Sequence, residues 1–182
     1  MLTPRQKTPD LTLPILGGGD FDPVRDAGSF GTLMVFYRGL HCPICLTQLR
    51  ELEKHAEDLA AKGVSVVAIS TDGQERAAEM ARKAGLKTAP MAYGLSLQQA
   101  HDWGLFISAG HGTTSAGVEE PALFSEPGMF ILRPDGTLYF SAVQSMPFTR
   151  PALPEILRAL DFVIAKDYPA RGEYTGALET AA

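Results

Sequence analysis

Cysteine is scarce in this chain: two residues in 182, Cys42 and Cys45, with only Pro43 and Ile44 between them. Two cysteines spaced for each other are no disulfide framework, which excludes a small secreted scaffold stapled by several bridges. A closed zinc site fails as well. It wants four ligands, and beyond His41 no second cysteine or histidine pair has ligand spacing. Basic residues are not in excess either. Lys and Arg number 16 against 21 Asp and Glu, a net charge of −5, which argues against nucleic acid or an anionic membrane as the main partner. No apolar run reaches the ~18 residues of a spanning helix, and Met1-Leu2-Thr3-Pro4-Arg5 has no apolar core of a secretion signal. Gly17-Gly18-Gly19-Asp20 lacks the Lys and Ser/Thr that grip a nucleotide and reads as a turn. There is no internal repeat and no low-complexity tract. These absences lead to the expectation of a cytoplasmic protein. Its length and 45% hydrophobic content suffice for one sizeable core, so a single domain is expected over 1–182, with 1–10 and 169–182 as surface tails.

What is present centres on residues 33–45. The run Leu33-Met34-Val35-Phe36 is a fully buried strand by its unbroken apolar character. It delivers Tyr37-Arg38-Gly39-Leu40-His41-Cys42-Pro43-Ile44-Cys45 to a helix over 43–62. In that helix Leu46, Leu49, Leu52, Ala56 and Leu59 recur at helical spacing, and Gly63 is the stop. Pro43 fits the first helical position, where a missing N–H costs nothing, which makes Cys42 the N-cap. The unpaired N–H groups and positive dipole end of a helix favour a thiolate, the nucleophilic form of cysteine. A Cys-x-x-Cys pair at that place is a redox device.

The rest of the chain reads as an α/β protein. Leu11 to Leu16 is a short edge strand, because Pro14 demotes it from a central one. Val64 to Ser70 is a second buried strand. With the strand and helix before it, this unit favours a parallel pair and a right-handed crossover. A helix from Thr71-Asp72-Gly73 to Ala84 ends at Gly85. Met91 to Tyr93 is a short strand, and Ser96 caps a helix to Trp103. Residues 104–125 show no period and read as a long Gly-rich loop, a length that is often functional. Met129–Leu132 and Thr137–Val143 form a hairpin about Pro134-Asp135-Gly136, and residues 151–166 form a last helix. The hairpin makes the sheet mixed.

This pattern resembles the thioredoxin-like fold, a central mixed β-sheet flanked by helices, in its peroxiredoxin-like branch. Phe36-Tyr37-Arg38-Gly39-x-x-Cys42-Pro43-x-Cys45 resembles a segment of the alkyl hydroperoxide reductase / thiol-specific antioxidant family. Pro127-Gly128-Met129-Phe130-Ile131-Leu132-Arg133-Pro134-Asp135-Gly136 resembles its second landmark. The resemblance implies that Pro127 is the cis-proline facing the cysteines in thioredoxins. Two departures stand out. Gly39 occupies the place of a Thr or Ser that helps hold peroxide, and Pro127 that of a peroxide-binding Arg. Both push the site toward disulfide chemistry.

The resemblance implies a thiol-dependent antioxidant oxidoreductase with Cys42, Cys45 and Arg38 as catalytic residues and Tyr37, His41, Pro43 and Pro127 around the substrate. Two registers stay open. Aligned on thioredoxin the attacking thiol is Cys42; aligned on the Thr-Pro-x-Cys of some monomeric relatives it is Cys45. The helix mouth favours Cys42. His41, when protonated, either lowers the thiol pKa or orients a substrate; an exposed loop residue is the alternative. Arg38 either stabilises the thiolate or pairs with a carboxylate. No metal and no bound cofactor is expected. The partners expected are a hydroperoxide or protein disulfide and a dithiol donor such as thioredoxin or glutathione. A second copy, as a homodimer, is a candidate. A disulfide reductase without peroxidase activity and a redox-sensing interaction protein are the competing readings.

Overall fold

The computed structural model describes residues 2–178. Its sheet has five strands: β3 (Gly31–Phe36), β4 (Val64–Ile69), β5 (Met91–Ala92), β8 (Gly128–Leu132) and β9 (Leu138–Val143). Their order is β5-β4-β3-β8-β9. β3 lies parallel to β4 with Leu33 opposite Val66, and antiparallel to β8 with Leu33 opposite Ile131. β3 is central, so both of its faces are buried. That is the physical reason for its unbroken apolar run.

Alternation along β3 feeds two cores. Leu33, Val35 and Tyr37 face helices α1 (Pro43–Ala61), α2 (Gln74–Ala84) and α4 (Leu153–Ala165), together with both cysteines. Met34 and Phe36 face the opposite side, where Trp103 and Phe130 pack with Leu11, Leu13 and Phe21 of the N-terminal hairpin. That hairpin pairs β1 (Leu13–Pro14) with β2 (Asp20–Phe21). Helix α1 presents Leu49, Leu52 and Leu59, all without solvent exposure, to the first core. Burial of each such Leu contributes roughly 1.5–3 kcal/mol. Its last turn is closed by Gly63 at φ 73, a conformation that glycine takes at little cost.

Helix α3 (Leu97–Asp102) starts in a capping box between Ser96 and Gln99. Two segments depart from the sequence expectation. Residues 3–8, expected as a surface tail, hydrogen-bond along 136–138, with Arg5 N–H donating to the Leu138 carbonyl at 2.8 Å. Residues 104–125 are no plain loop. They hold an antiparallel ribbon of β6 (Ile107–Ala109) and β7 (Leu123–Ser125). Three-residue strands are too short to show a period of two, which is why the pattern missed them. No helix among the described residues is long and apolar enough to cross a membrane.

Candidate active site

The site starts where β3 runs out. Tyr37 N–H still bonds to the Ile69 carbonyl at 2.9 Å, and then the chain turns sharply at Gly39, φ +141. A Cβ there would come within 2.9–3.0 Å of the Asp72 carboxylate oxygens and of His41 Nδ1. Asp72, from the β4–α2 connection, accepts the Leu40 N–H at 2.7 Å and the Arg76 Nε–H at 2.9 Å. The turn is therefore gripped by a buried carboxylate that crowds any side chain at position 39. A Thr or Ser at this position would meet those atoms and a positive φ.

Beyond the turn, Cys42 is the N-cap of α1, and its Sγ accepts the Cys45 N–H at 3.4 Å. Pro43 opens the helix and faces solvent. Both cysteines are free thiols; Cys42 is 2% exposed and Cys45 fully buried. Cys45 Sγ accepts the Arg38 backbone N–H at 3.4 Å. Arg150, from the segment before α4, points its Nη2 at both sulfurs, 3.2 Å from Cys45 and 3.7 Å from Cys42. Its Nη1 donates to Gln48 Oε1. A hydrogen bond from the Cys45 thiol, helped by the Cys45 N–H and by Arg150, pulls the Cys42 thiol well below its ordinary value of 9.0. Burial, then the neighbouring Cys42 sulfur, pushes Cys45 the other way. One sulfur is poised as an anion while its partner keeps a proton. That division of labour suits a nucleophile followed by a second thiol.

The model of the AhpC/TSA family matches residues 4–141. The chain belongs to the AhpC/TSA family. As a member it is a thiol-dependent oxidoreductase. A search of curated proteins finds no match. Among solved structures it is similar to a mutant of the peroxiredoxin 6 of Arenicola marina, with TM-score 0.71 and 19% identity over 92% of this chain and 76% of that one. The AhpC of Enterococcus faecalis matches with TM-score 0.69 and 19% identity, covering 97% of this chain and all (100%) of that one. The peroxidoxin BcpB of Mycobacterium tuberculosis gives TM-score 0.67 and 18% identity over 90% and 99%. These likenesses confirm the thioredoxin-like architecture.

In this AhpC/TSA chain the remaining residues named from sequence fall in three places. The Arg38 guanidinium has no hydrogen bond to either sulfur among the described residues. It stacks over the Phe124 ring at 4.6 Å and pairs with Glu120 at 3.2 Å and Glu126 at 3.3 Å, both carboxylates at least 92% buried. Both of its sequence readings find support: the side chain pairs with carboxylates while its charge still helps lower the Cys42 thiol, and its backbone N–H touches Cys45. His41 is fully buried against Phe124 rather than exposed. Burial, reinforced by Arg38, drives its imidazole down to about 4, so at neutral pH it is uncharged and supplies no cation to Cys42. Tyr37 is core, its hydroxyl donating to Met91 Sδ at 3.3 Å. Pro127 is buried ahead of β8, but its peptide bond is trans, since no described residue has a cis bond. The cis expectation is corrected: the carbonyl of Pro127 accepts Gln144 N–H in the β8–β9 pairing, and the peptide is ordinary there.

Three groups escaped the sequence reading: Arg150, Gln48, and the Glu120–Glu126 pair. Gln48 had one signal, a polar residue one turn after Cys45 on the buried face of α1. Arg150 had none, standing 105 residues from Cys45. The ribbon that carries Glu120 is itself tied over the turn, because Thr114 Oγ1 donates to the His41 carbonyl at 2.8 Å and Arg76 reaches the Glu119 carbonyl at 3.3 Å. No cluster of metal-ligating side chains occurs among the described residues.

Proposed function

We propose that the protein is a peroxiredoxin-like antioxidant enzyme that reduces hydroperoxides through Cys42 and Cys45. The observation that carries this is the guanidinium of Arg150 lying across both sulfurs at a helix N-terminus. The Cys42 thiolate attacks the terminal oxygen of a hydroperoxide. The O–O bond breaks, the leaving alkoxide or hydroxide takes up a proton, and Cys42 becomes a sulfenic acid. Cys45 then attacks the Cys42 sulfur, the S–O bond breaks, and water leaves from an internal disulfide. A thiol donor such as thioredoxin or glutathione restores the pair by exchange. The names of the structural neighbours, peroxiredoxin, peroxidoxin and AhpC, support the same class.

Arg150 does the work that the departures at Gly39 and Pro127 left unassigned, supplying a cation from another part of the chain. Burial favours the small substrate. With Cys42 only 2% exposed and Arg150 across the pair, a peroxide needs far less room than a protein disulfide. The disulfide-reductase reading keeps one support: position 39 has no hydroxyl to hold a peroxide.

Mixing reduced protein with hydrogen peroxide and a donor system tests the proposal. Donor consumption that depends on peroxide, and is lost in Cys42→Ser, is the expected result. Turnover with insulin disulfides but none with peroxide would move the assignment to the reductase, and dependence on Cys45 alone would reverse the two sulfurs. Trp103 is a poor reporter for this assay, because it packs in the core across the sheet from the cysteines.

A further inference from the structure

Closing the disulfide poses a problem that the first step does not. Cys45 has no solvent exposure, and a neutral thiol is a poor nucleophile. None of its hydrogen-bond partners is a carboxylate able to take its proton: they are Cys42, the Arg38 backbone N–H and Arg150. The other titratable group facing it is the Tyr37 hydroxyl, held neutral by burial; the Arg38 guanidinium is engaged by Glu120 and Glu126 instead. Arg150 is different. Its polar contacts among the described residues are Gln48 and the two sulfurs, and its Nε has no partner. A half-buried cation without a carboxylate favours an anion on whichever sulfur can hold one.

We infer that Arg150 acts twice. It first steadies the Cys42 thiolate and then stabilises the charge emerging on Cys45 as that sulfur closes the disulfide, with Gln48 as the positioning residue that keeps the guanidinium there. The distances fit a handover without movement: Nη2 is already closer to Cys45, 3.2 Å, than to Cys42, 3.7 Å. While Cys42 is an anion, Cys45 keeps its proton. Once the Cys42 sulfur is bonded to oxygen or to another sulfur, its charge is gone, and Arg150 can lower the cost of ionising Cys45 instead. The Cys45 proton leaves to solvent, its electron pair forms the S–S bond, and the pair from the broken bond departs with the leaving group. This rests on the reading of Cys42 as attacking and Cys45 as resolving thiol.

A test free of peroxide separates the two. With dithiobis-nitrobenzoate, Cys42 releases one coloured thionitrobenzoate and becomes a mixed disulfide; attack by Cys45 releases the second. Stopped-flow on the full chain resolves the phases. In Arg150→Met the second phase slows by about 10- to 100-fold, the loss expected for one charge-assisted hydrogen bond, and its pH midpoint rises. Arg150→Lys recovers part of the midpoint shift. In Gln48→Leu the guanidinium stays but is untethered, so the second phase slows several-fold with a smaller upward shift, and this variant decides the matter should Arg150→Met not fold. A second phase with unchanged rate and midpoint in Arg150→Met overturns the inference, as does equal slowing of both phases with no midpoint shift in Gln48→Leu. Wild-type protein releasing a single equivalent overturns the underlying assignment of Cys45.

Discussion

Two arginines flank the cysteines, and they have opposite surroundings. Arg38 sits between two buried carboxylates and over an aromatic ring, so its charge is spent on holding the β6–β7 ribbon against the turn. Arg150 has an uncharged amide and two sulfurs. The same side chain is thus a brace in one place and a source of field in the other. The counter-charges decide which, since a paired guanidinium has little attraction left for a sulfur. Nearness to the motif in sequence points to the brace and not to the guanidinium that contacts both sulfurs.

The comparison can be broken or sharpened by substitution. Cys42→Ser is expected to abolish peroxide turnover, while Cys45→Ser still consumes one equivalent and stops as a sulfenate, which mass spectrometry after trapping detects. Arg150→Met comes next. Its rate of peroxide reduction falls by about 10- to 100-fold, and the alkylation pH profile of Cys42 moves toward the ordinary thiol value. Arg38→Met should leave that profile nearly in place yet cost about 3 kcal/mol in denaturant unfolding, because Glu120 and Glu126 lose their partner. If its thiol profile instead shifts as far as that of Arg150→Met, the contrast between brace and field source is wrong.

The last effect is in pH. His41 titrates near 4 when folded and near its ordinary 6.5 when unfolded, so between those values the unfolded chain binds more protons. Its contribution to stability is complete above about pH 6.5 and is lost as the pH falls toward 4, on the order of 3 kcal/mol in all. Glu120, whose carboxylate is held down by the His111 N–H and then by Arg38, acts in the same direction but at lower pH. Unfolding curves of His41→Phe should therefore flatten across the upper part of that window.

The framework was legible because each signal had one cause. The buried run at 33–36 read as a fully buried strand, Pro43 after Cys42 read as a helix start, and Pro134-Asp135-Gly136 closed the hairpin about Gly136 at φ 79. The N-cap role of Cys42 followed from the same reasoning. Contacts made across the chain were not legible. Arg150 approaches the cysteines because α4 packs beside α1, and no local pattern encodes a crossing between elements a hundred residues apart. His41 failed for a related reason: its burial depends on Phe124, carried by a ribbon too short to leave a periodic trace.

On the proposed function, the cap of α1 would also be the atom that reacts. An anionic sulfur accepts the Cys45 amide more strongly than an oxidised one does, so each catalytic cycle would loosen and retighten the first turn of the longest helix in the sheet's flank. Amide hydrogen exchange at Cys45 should then run faster in oxidised than in reduced protein, giving a backbone clock for the state of the sulfur that needs neither substrate nor dye.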